Sequence, residues 1–235
     1  MIFGSDTHVN STSDGASTGI LQVSDDSGFV LGELSSINVV AGTDGYGLQQ
    51  APSFATNSNS AIIHANSRIN VQAGEIGRGI LSWATIANSS FLTLEHGVEI
   101  HVTGDTAYGV DVEASGFDLQ NNGGRIFATS TNATPESYGV RMIGGANNFE
   151  NHGSVFADLA PNSHAILMDG DNNMLSLLTY PVIQGQITFG DGAGTFGSGN
   201  TLLIGRGFDA AFTVGADPSQ LTVLGQGQSL TVNQI

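Results

Sequence analysis

The sequence contains no cysteine, no lysine and no long apolar run. Without cysteine, a disulfide framework and thiol catalysis are both excluded. No stretch approaches the roughly 18 apolar residues of a membrane helix, and residues 1–4 lack the basic start of a signal peptide. We therefore expect no transmembrane segment in this chain, which is either cytosolic or was trimmed of a targeting segment.

Positive charge and aromatic rings are also scarce. Five basic residues stand against 21 acidic ones, for a net charge of -16, and the aromatic content is 7% with a single tryptophan, Trp83. A surface of this sign repels phosphate backbones and anionic lipid. Nucleic acid is therefore not an expected partner.

What the sequence does contain is a repeat of about 30 residues. Five times along the chain a glycine or alanine is followed directly by an aliphatic residue. These aliphatic residues are separated by 32, 30, 30 and 26 positions, and they are Leu48, Ile80, Val110, Val140 and Ile166. A second series runs in step with the first, namely Ile69, Ile100, Ile126, Val155 and Ile187, and a third comprises Leu119, Phe149 and Leu175. Such periods are typical of solenoids, whose units bury a continuous core only against their neighbours.

The composition favours strands over helices as the content of each unit. A helical repeat is rich in Ala, Leu, Glu and Lys, whereas this chain has no Lys and 33 Gly. The apolar segments alternate with polar residues, as in residues 109–113, and Asn and Gly at 121–124 and 151–153 suit tight corners. The sequence predicts an all-β, three-strand-per-coil parallel solenoid that forms one elongated domain over residues 1–235, with residues 1–19 as a candidate frayed cap.

Specific contacts follow from this stacking. We expect Val110 to lie between Ile80 and Val140, and Ile126 between Ile100 and Val155. Asn121 and Asn151, which occupy equivalent corners, are expected to form an amide ladder.

The coils over residues 108–126 and 138–155 resemble those of autotransporter passenger domains. Residues 170–235 are similar to the last coils that precede the translocator in that family, through the segments Asn172–Leu177, Pro181–Ile187 and Gly199–Gly207. The resemblance implies a right-handed parallel β-helix, exported through the periplasm and across the outer membrane of a Gram-negative bacterium by a C-terminal barrel of the parent protein. It also implies a cell-surface or extracellular location and few or no cysteines.

Motifs for chemistry are sparse. Asp25-Asp26 and His152-Gly153 resemble fragments of pectinase motifs, but the matching Arg-Ile-Lys element is missing. Asp25–Gly28 differs from the Gly-Asp-Ser-Gly element of serine proteases in its first residue and has no accompanying His and Asp pattern. The stretch 190–196 and residues 205–209 resemble calcium-binding repeats without their nine-residue period, and the six histidines show no metal-ligand spacing. The sequence therefore predicts no enzyme activity, no cofactor and no metal site.

The remaining candidate is a row of tyrosines. Tyr108 and Tyr138 are expected to stack one coil apart and, together with Tyr46, to form a protein-binding ridge if they are exposed, with packing at the core edge as the alternative.

The function that the resemblance implies is that of a surface-displayed or released passenger domain, which acts as an adhesin or a secreted host-interacting effector. Its partner would be a host surface or matrix protein, a glycan, or a second copy of itself. The alternative is a glycan-processing β-helix, a polysaccharide lyase or hydrolase with a site that the sequence does not reveal.

Overall fold

The protein folds into three parallel β-sheets that wind into a solenoid of about seven turns. The computed structural model describes residues 1–23, 27–50, 59–83, 90–179, 181–193, 195–205, 214–217, 219, 221–225 and 232–233. Every regular element in these ranges is a strand. No helix within them has the length and apolar character needed to span a bilayer.

The strands follow one another around the solenoid, three to a coil. Coils 1 to 3 hold β1 (Ile2–Phe3), β2 (His8–Ser13), β3 (Ser17–Gln22), β4 (Ser27–Leu31), β5 (Ser36–Ala41), β6 (Gly45–Gln50), β7 (Asn59–Ile63), β8 (Arg68–Ala73) and β9 (Ile76–Trp83). Coils 4 and 5 hold β10 (Phe91–Leu94), β11 (Glu99–Gly104), β12 (Thr106–Glu113), β13 (Asp118–Asn121), β14 (Arg125–Ser130) and β15 (Glu136–Ile143). Coils 6 and 7 hold β16 (Asn148–Asn151), β17 (Ser154–Phe156), β18 (His164–Asp169), β19 (Met174–Leu177), β20 (Val182–Gln184) and β21 (Gln186–Phe189), and after them come β22 (Asn200–Ile204), β23 (Val214–Gly215), β24 (Leu221–Gly225) and β25 (Val232–Asn233).

Each strand of coils 1 to 6 pairs in parallel with the strand three positions later. Sheet A joins β1 to β4 and continues through β22 to β24, sheet B runs from β2 to β20, and sheet C runs from β3 through β21 to β23 and β25. The predicted three-strand coil is confirmed. Residues 1–19 contain β1, β2 and the first part of β3, and β2 pairs with β5 over its whole length.

Aliphatic side chains from successive coils form columns inside the solenoid. Val110 pairs with Ile80 on one side and Val140 on the other, and Ile126 lies between Ile100 and Val155. The third predicted series, Leu119, Phe149 and Leu175, also forms a column, and the side chains of all three columns are inaccessible to solvent. Because each coil is covered only by its neighbours, the core is continuous along the axis.

One residue of the predicted columns is misplaced. Ile187 pairs with Ile166 and extends the first column, whereas Ile183 follows Val155 in the second. The reason is a short coil: Gly185 alone separates β20 from β21, with φ +119, so the 21 residues between Ile166 and Ile187 span a whole turn. The first column also begins one coil earlier than predicted, at Ile20, which pairs with Leu48.

In coils 1 to 5 the residue before this column is glycine, and the reason is steric. A Cβ on Gly109 would lie 2.3 Å from Cγ2 of Ile126 and 2.5 Å from the carbonyl oxygen of Gly139. Gly47 and Gly79 meet equivalent neighbours, the Cγ2 atoms of Ile69 and Ile100. Sheet C therefore passes so close to the sheet B column that a side chain is excluded.

Polar residues inside the corners are paired from coil to coil. The predicted ladder is confirmed, because Nδ2 of Asn121 donates to Oδ1 of Asn151 at 2.8 Å. A second ladder precedes sheet A: the backbone N–H of Phe117 donates to Asn147, that of Asn147 to Asn173, and that of Asn173 to Asn200. These bonds satisfy buried groups that would otherwise be costly.

Candidate functional site

The outer face of sheet C carries a column of aromatic and basic side chains, which we call the sheet C ladder. It runs through Tyr46, Arg78, Tyr108, Tyr138 and His164, one residue from each of coils 2 to 6. Each member lies two residues before the aliphatic column. The glycine or alanine between them is skipped in the strand pairing, so the regular alternation of faces is interrupted there and both side chains do not share the inner face. The ladder thus follows from the same repeat that builds the core.

The rings of the ladder lie flat on one another. Tyr108 and Tyr138 stack with their centroids 4.9 Å apart and an interplanar angle of 5°, and His164 stacks on Tyr138 at 5.5 Å and 17°. Arg78 separates Tyr46 from Tyr108, with its guanidinium carbon 5.5 Å from the ring centroid of Tyr46 and 4.9 Å from that of Tyr108. Because neighbouring coils cover the ring faces, the ladder presents mainly ring edges to solvent.

A buried carboxylate fixes the ladder from the side. Asp111 has no exposed side-chain surface, and it accepts hydrogen bonds from Nε of Arg78 at 2.8 Å and from Nε and Nη2 of Arg141 at 2.7 and 2.8 Å. Arg141 also pairs with Glu113 at 2.9 Å and lies 4.4 Å from the ring centroid of Tyr108. The two arginines and Asp111 therefore clamp coils 3, 4 and 5 together.

The protonation states of the ladder follow from this packing. Burial raises the pKa of Tyr108, and burial together with the neighbouring carboxylate of Glu136 raises that of Tyr138. Burial lowers the pKa of His164 to about 4. Burial opposes the charge of Arg141, but the hydrogen bond and the charge of Asp111 outweigh it and raise the pKa. At neutral pH Tyr108, Tyr138 and His164 are thus uncharged.

The predicted tyrosine stack is found, with a modified geometry. Tyr108 and Tyr138 are in contact, whereas Tyr46 reaches them only through Arg78. Tyr108 is 7% exposed, and Tyr46 and Tyr138 are half-buried. Trp83, at the end of β9, is 53% exposed and is not part of the ladder.

The other sequence motifs are dispersed or local. Within the described part of the chain no three His, Asp or Glu side chains are grouped as metal ligands. Asp191 accepts hydrogen bonds from the backbone N–H groups of Ala193 and Thr195, which is a local turn. His152 pairs with Glu150 at 2.8 Å. Asp25, Asp26, Gly194 and residues 206–209 lie outside the described residues.

Sequence reasoning missed a second ladder, on the outer face of sheet B. Asn10, Asn38, Asn70, His101, Phe127 and Phe156 occupy one column. Phe127 stacks between His101 at 4.5 Å and Phe156 at 4.6 Å. Beside it, Glu99 lies between two arginines, 3.1 Å from Arg68 and 3.5 Å from Arg125.

The clamp formed by Arg78, Asp111 and Arg141 was accessible from the sequence. Aligning the coils on Ile80, Val110 and Val140 places Arg78 in the column of Tyr108 and Asp111 beside Arg141. The aliphatic and tyrosine positions alone do not reveal that these charged residues are neighbours on adjacent coils.

The fold and these surfaces define the protein as a three-sheet parallel β-helix whose outer faces carry ladders of polar and aromatic side chains. In comparisons with known proteins, no family model, curated protein or solved structure matches the chain.

Proposed function

We propose that this chain is a binding rod, the passenger domain of an autotransporter that acts at the bacterial surface or after release as an adhesin or host-interacting factor. The observation that carries the proposal is the sheet C ladder over coils 2 to 6, in which the half-buried Tyr46 and Tyr138 lie on either side of Arg78 and the buried Tyr108. Tyrosine and arginine are the residue types enriched at the centres of protein interfaces.

The chemistry of the ladder favours contact with a protein. A sugar platform needs an open ring face, whereas the faces of Tyr108 and Tyr138 are covered by their neighbours. The ring edges of Tyr46 and Tyr138 remain available. The hydroxyl of Tyr138 donates to Glu136 at 3.2 Å, that of Tyr46 accepts from Nη1 of Arg78 at 3.4 Å, and the arginines are neutralised by Asp111 and Glu113. A strip of this kind suits a partner that packs apolar and hydrogen-bonding groups against it.

The export route is supported by the absence of cysteine and by the architecture. A chain without crosslinks can be threaded through a pore in extended form, and a solenoid can then add coils one at a time. The parent reading frame tests this part directly. We expect a signal peptide upstream and an outer-membrane barrel of amphipathic strands downstream.

The binding role is tested with the purified chain on host cells and extracellular matrix. We expect Tyr46→Ser together with Tyr138→Ser to abolish the binding while the β-sheet circular dichroism spectrum is retained. The matched control is Phe127→Ser, which removes a stacked ring from the same coils but from sheet B. Equal binding by the tyrosine variant and the control would contradict the role of the ladder.

The enzyme alternative has its own readout. If the chain released reducing or unsaturated ends from acidic polysaccharides, the proposal of a binding rod would be wrong and the glycan-processing alternative would replace it.

A further inference from the structure

An open groove of about 630 Å³ lies on the outer face of sheet B across coils 1 to 3. The residues that the argument uses are His8, Leu34, Ser36, Asn38, Arg68 and Asn70. The groove and the sheet C ladder lie on different faces of the solenoid.

The groove exists because a small residue lies between two large ones. His8, Ser36 and Arg68 are successive members of one column. Neighbouring strands are about 4.8 Å apart, so His8 and Arg68 stand roughly 10 Å from each other with Ser36 between them. The groove lies over Ser36, whose side chain is partly exposed.

One side of the groove is a row of hydrogen-bonding groups with a fixed polarity. Nδ2 of Asn70 donates to Oδ1 of Asn38 at 2.7 Å, and Nδ2 of Asn38 donates to Oδ1 of Asn10 at 3.0 Å. Ser36 bonds Nδ1 of His8 at 2.9 Å. Nδ2 of Asn38 also donates to Oγ of Ser36 at 3.3 Å, so both of its N–H groups are used. The second N–H of Asn70 and the remaining lone pairs of the amide oxygens are the groups left for sugar hydroxyls.

The groove also contains an exposed cation in a strongly acidic protein. The side chain of Arg68 is 62% exposed, and its Nε lies 3.1 Å from Oε2 of Glu99. A guanidinium carries five N–H donors, so its Nη groups are available to a second carboxylate. Glu99 is shared with Arg125, so this exposed cluster carries two positive charges and one negative charge.

Leu34 gives the groove an apolar wall at a conformational cost. Its φ is 58° and its side chain is largely exposed, whereas the equivalent corners of neighbouring coils are Asp6, Asn66 and Gly97. Those residue types tolerate the left-handed region, and a bulky aliphatic residue does not. Strain of this kind is characteristic of ligand sites, and an exposed aliphatic group suits the C–H face of a pyranose.

We propose that this groove binds an oligosaccharide that bears a carboxylate. Arg68 holds the carboxylate, Ser36, Asn38 and Asn70 hydrogen-bond the ring hydroxyls, and Leu34 contacts the apolar face of the ring. The inference rests on the proposed function of a binding rod and adds a ligand class and a second face to it.

The test measures binding in solution to two sources of this chemistry, a trimer of uronic acids and a sialylated trisaccharide. The same oligosaccharides with their carboxylates reduced to alcohols serve as neutral probes. We expect at least one acidic probe to bind, and its neutral form to bind about tenfold more weakly, as the loss of one charged hydrogen-bonding pair implies. Failure of both acidic probes to bind, or equal binding of acidic and neutral forms, would overturn the proposal.

Matched variants locate the site. Arg68→Gln is expected to weaken binding about tenfold, whereas Arg125→Gln, which removes the other partner of Glu99 outside the groove, leaves it within about twofold. Leu34→Asn is expected to raise the thermal midpoint by relieving the strained corner and to weaken binding, a combination that a purely structural role would not produce. Equal loss in the two arginine variants would contradict the assignment.

The outcome is separable from that of the proposed function. If the Tyr46→Ser and Tyr138→Ser variant lost cell binding but bound the acidic probe, the groove and the ladder would be independent sites. If cell binding were absent altogether, titration with the probe would still decide the fate of the groove.

Discussion

Replacing Asp111 by Asn tests the clamp that joins coils 3 to 5. The change leaves two guanidinium groups without their shared carboxylate, and their side chains are only 15% and 16% exposed. Removing one partner of a buried ion pair costs about 3 to 5 kcal/mol. Arg141 retains Glu113, so we expect a loss near the lower limit, about 3 kcal/mol of the free energy of unfolding.

The protein contains its own control for this variant. Glu99 lies between Arg68 and Arg125 in the same three coils and with the same order of charges, but those arginines are 62% and 53% exposed. Exposed pairs contribute about 1 kcal/mol or less, so Glu99→Gln should cost no more than that. Burial is therefore the main difference between the two substitutions.

Urea denaturation followed by circular dichroism gives the two losses, and hydrogen exchange locates them. We expect Asp111→Asn to lower protection mainly in β9, β12 and β15, the strands that the clamp connects. A loss equal to or smaller than that of Glu99→Gln would refute the reasoning that burial makes the sheet C clamp the stronger one.

Three further predictions concern packing, the corners and pH. Gly109→Ala should cost about 1 to 3 kcal/mol by overpacking, because its Cβ would lie 2.3 Å from Ile126, whereas Gly15→Ala, whose nearest neighbour is 3.9 Å away, should be nearly neutral in the same denaturation assay. Asn121→Ala should cost about 1 to 3 kcal/mol because the buried N–H of Gly124 loses its acceptor, and equal thermal midpoints for this variant and the exposed Asn122→Ala would contradict it. The pKa of His164 is about 4 in the fold against 6.5 when unfolded, so the unfolded state binds the proton more tightly and stability falls as the pH is lowered from about 6.5 to 4, by up to about 3 kcal/mol. His164→Gln should lower the slope of the unfolding free energy against pH by the equivalent of up to one bound proton between about pH 4 and 6.5. An unchanged slope would show that His164 is not buried in its neutral form.

The sequence predicted the parts of the fold that depend on repetition. Val110 and Val140, or Leu119 and Phe149, recur at nearly fixed intervals because every coil must supply an aliphatic group to the same column. Ile187 was assigned to the column of Val155, but it belongs to the column of Ile166 because a one-residue corner at Gly185 shortens its coil. The spacing of aliphatic residues alone does not show that a coil is short. The strained corner at Leu34 was not predicted, because a left-handed φ at a bulky aliphatic residue runs against the residue preferences from which corners are predicted.

The candidate surfaces were predicted less completely than the core. The stack of Tyr108 on Tyr138 follows from their common offset to the aliphatic column, but the insertion of Arg78 below Tyr108 breaks the tyrosine pattern. The groove on sheet B depends on the small size of Ser36 relative to His8 and Arg68. His8 precedes Ser36 by 28 positions, and Arg68 follows it by 32. Only the register of the coils brings them together.

The central claim is that successive coils stack in register, and one distance measurement tests it most directly. Thr12 and Thr129 are exposed members of a single column in sheet B, four coils apart, linked through Val40, Gln72 and Thr103. Since the chain has no cysteine, spin labels on Thr12→Cys and Thr129→Cys report on that pair alone. Electron paramagnetic resonance should give a narrow distribution centred at about 19 Å, four strand spacings of about 4.8 Å. A broad distribution, or a centre beyond about twice that separation, would contradict the stacked parallel solenoid.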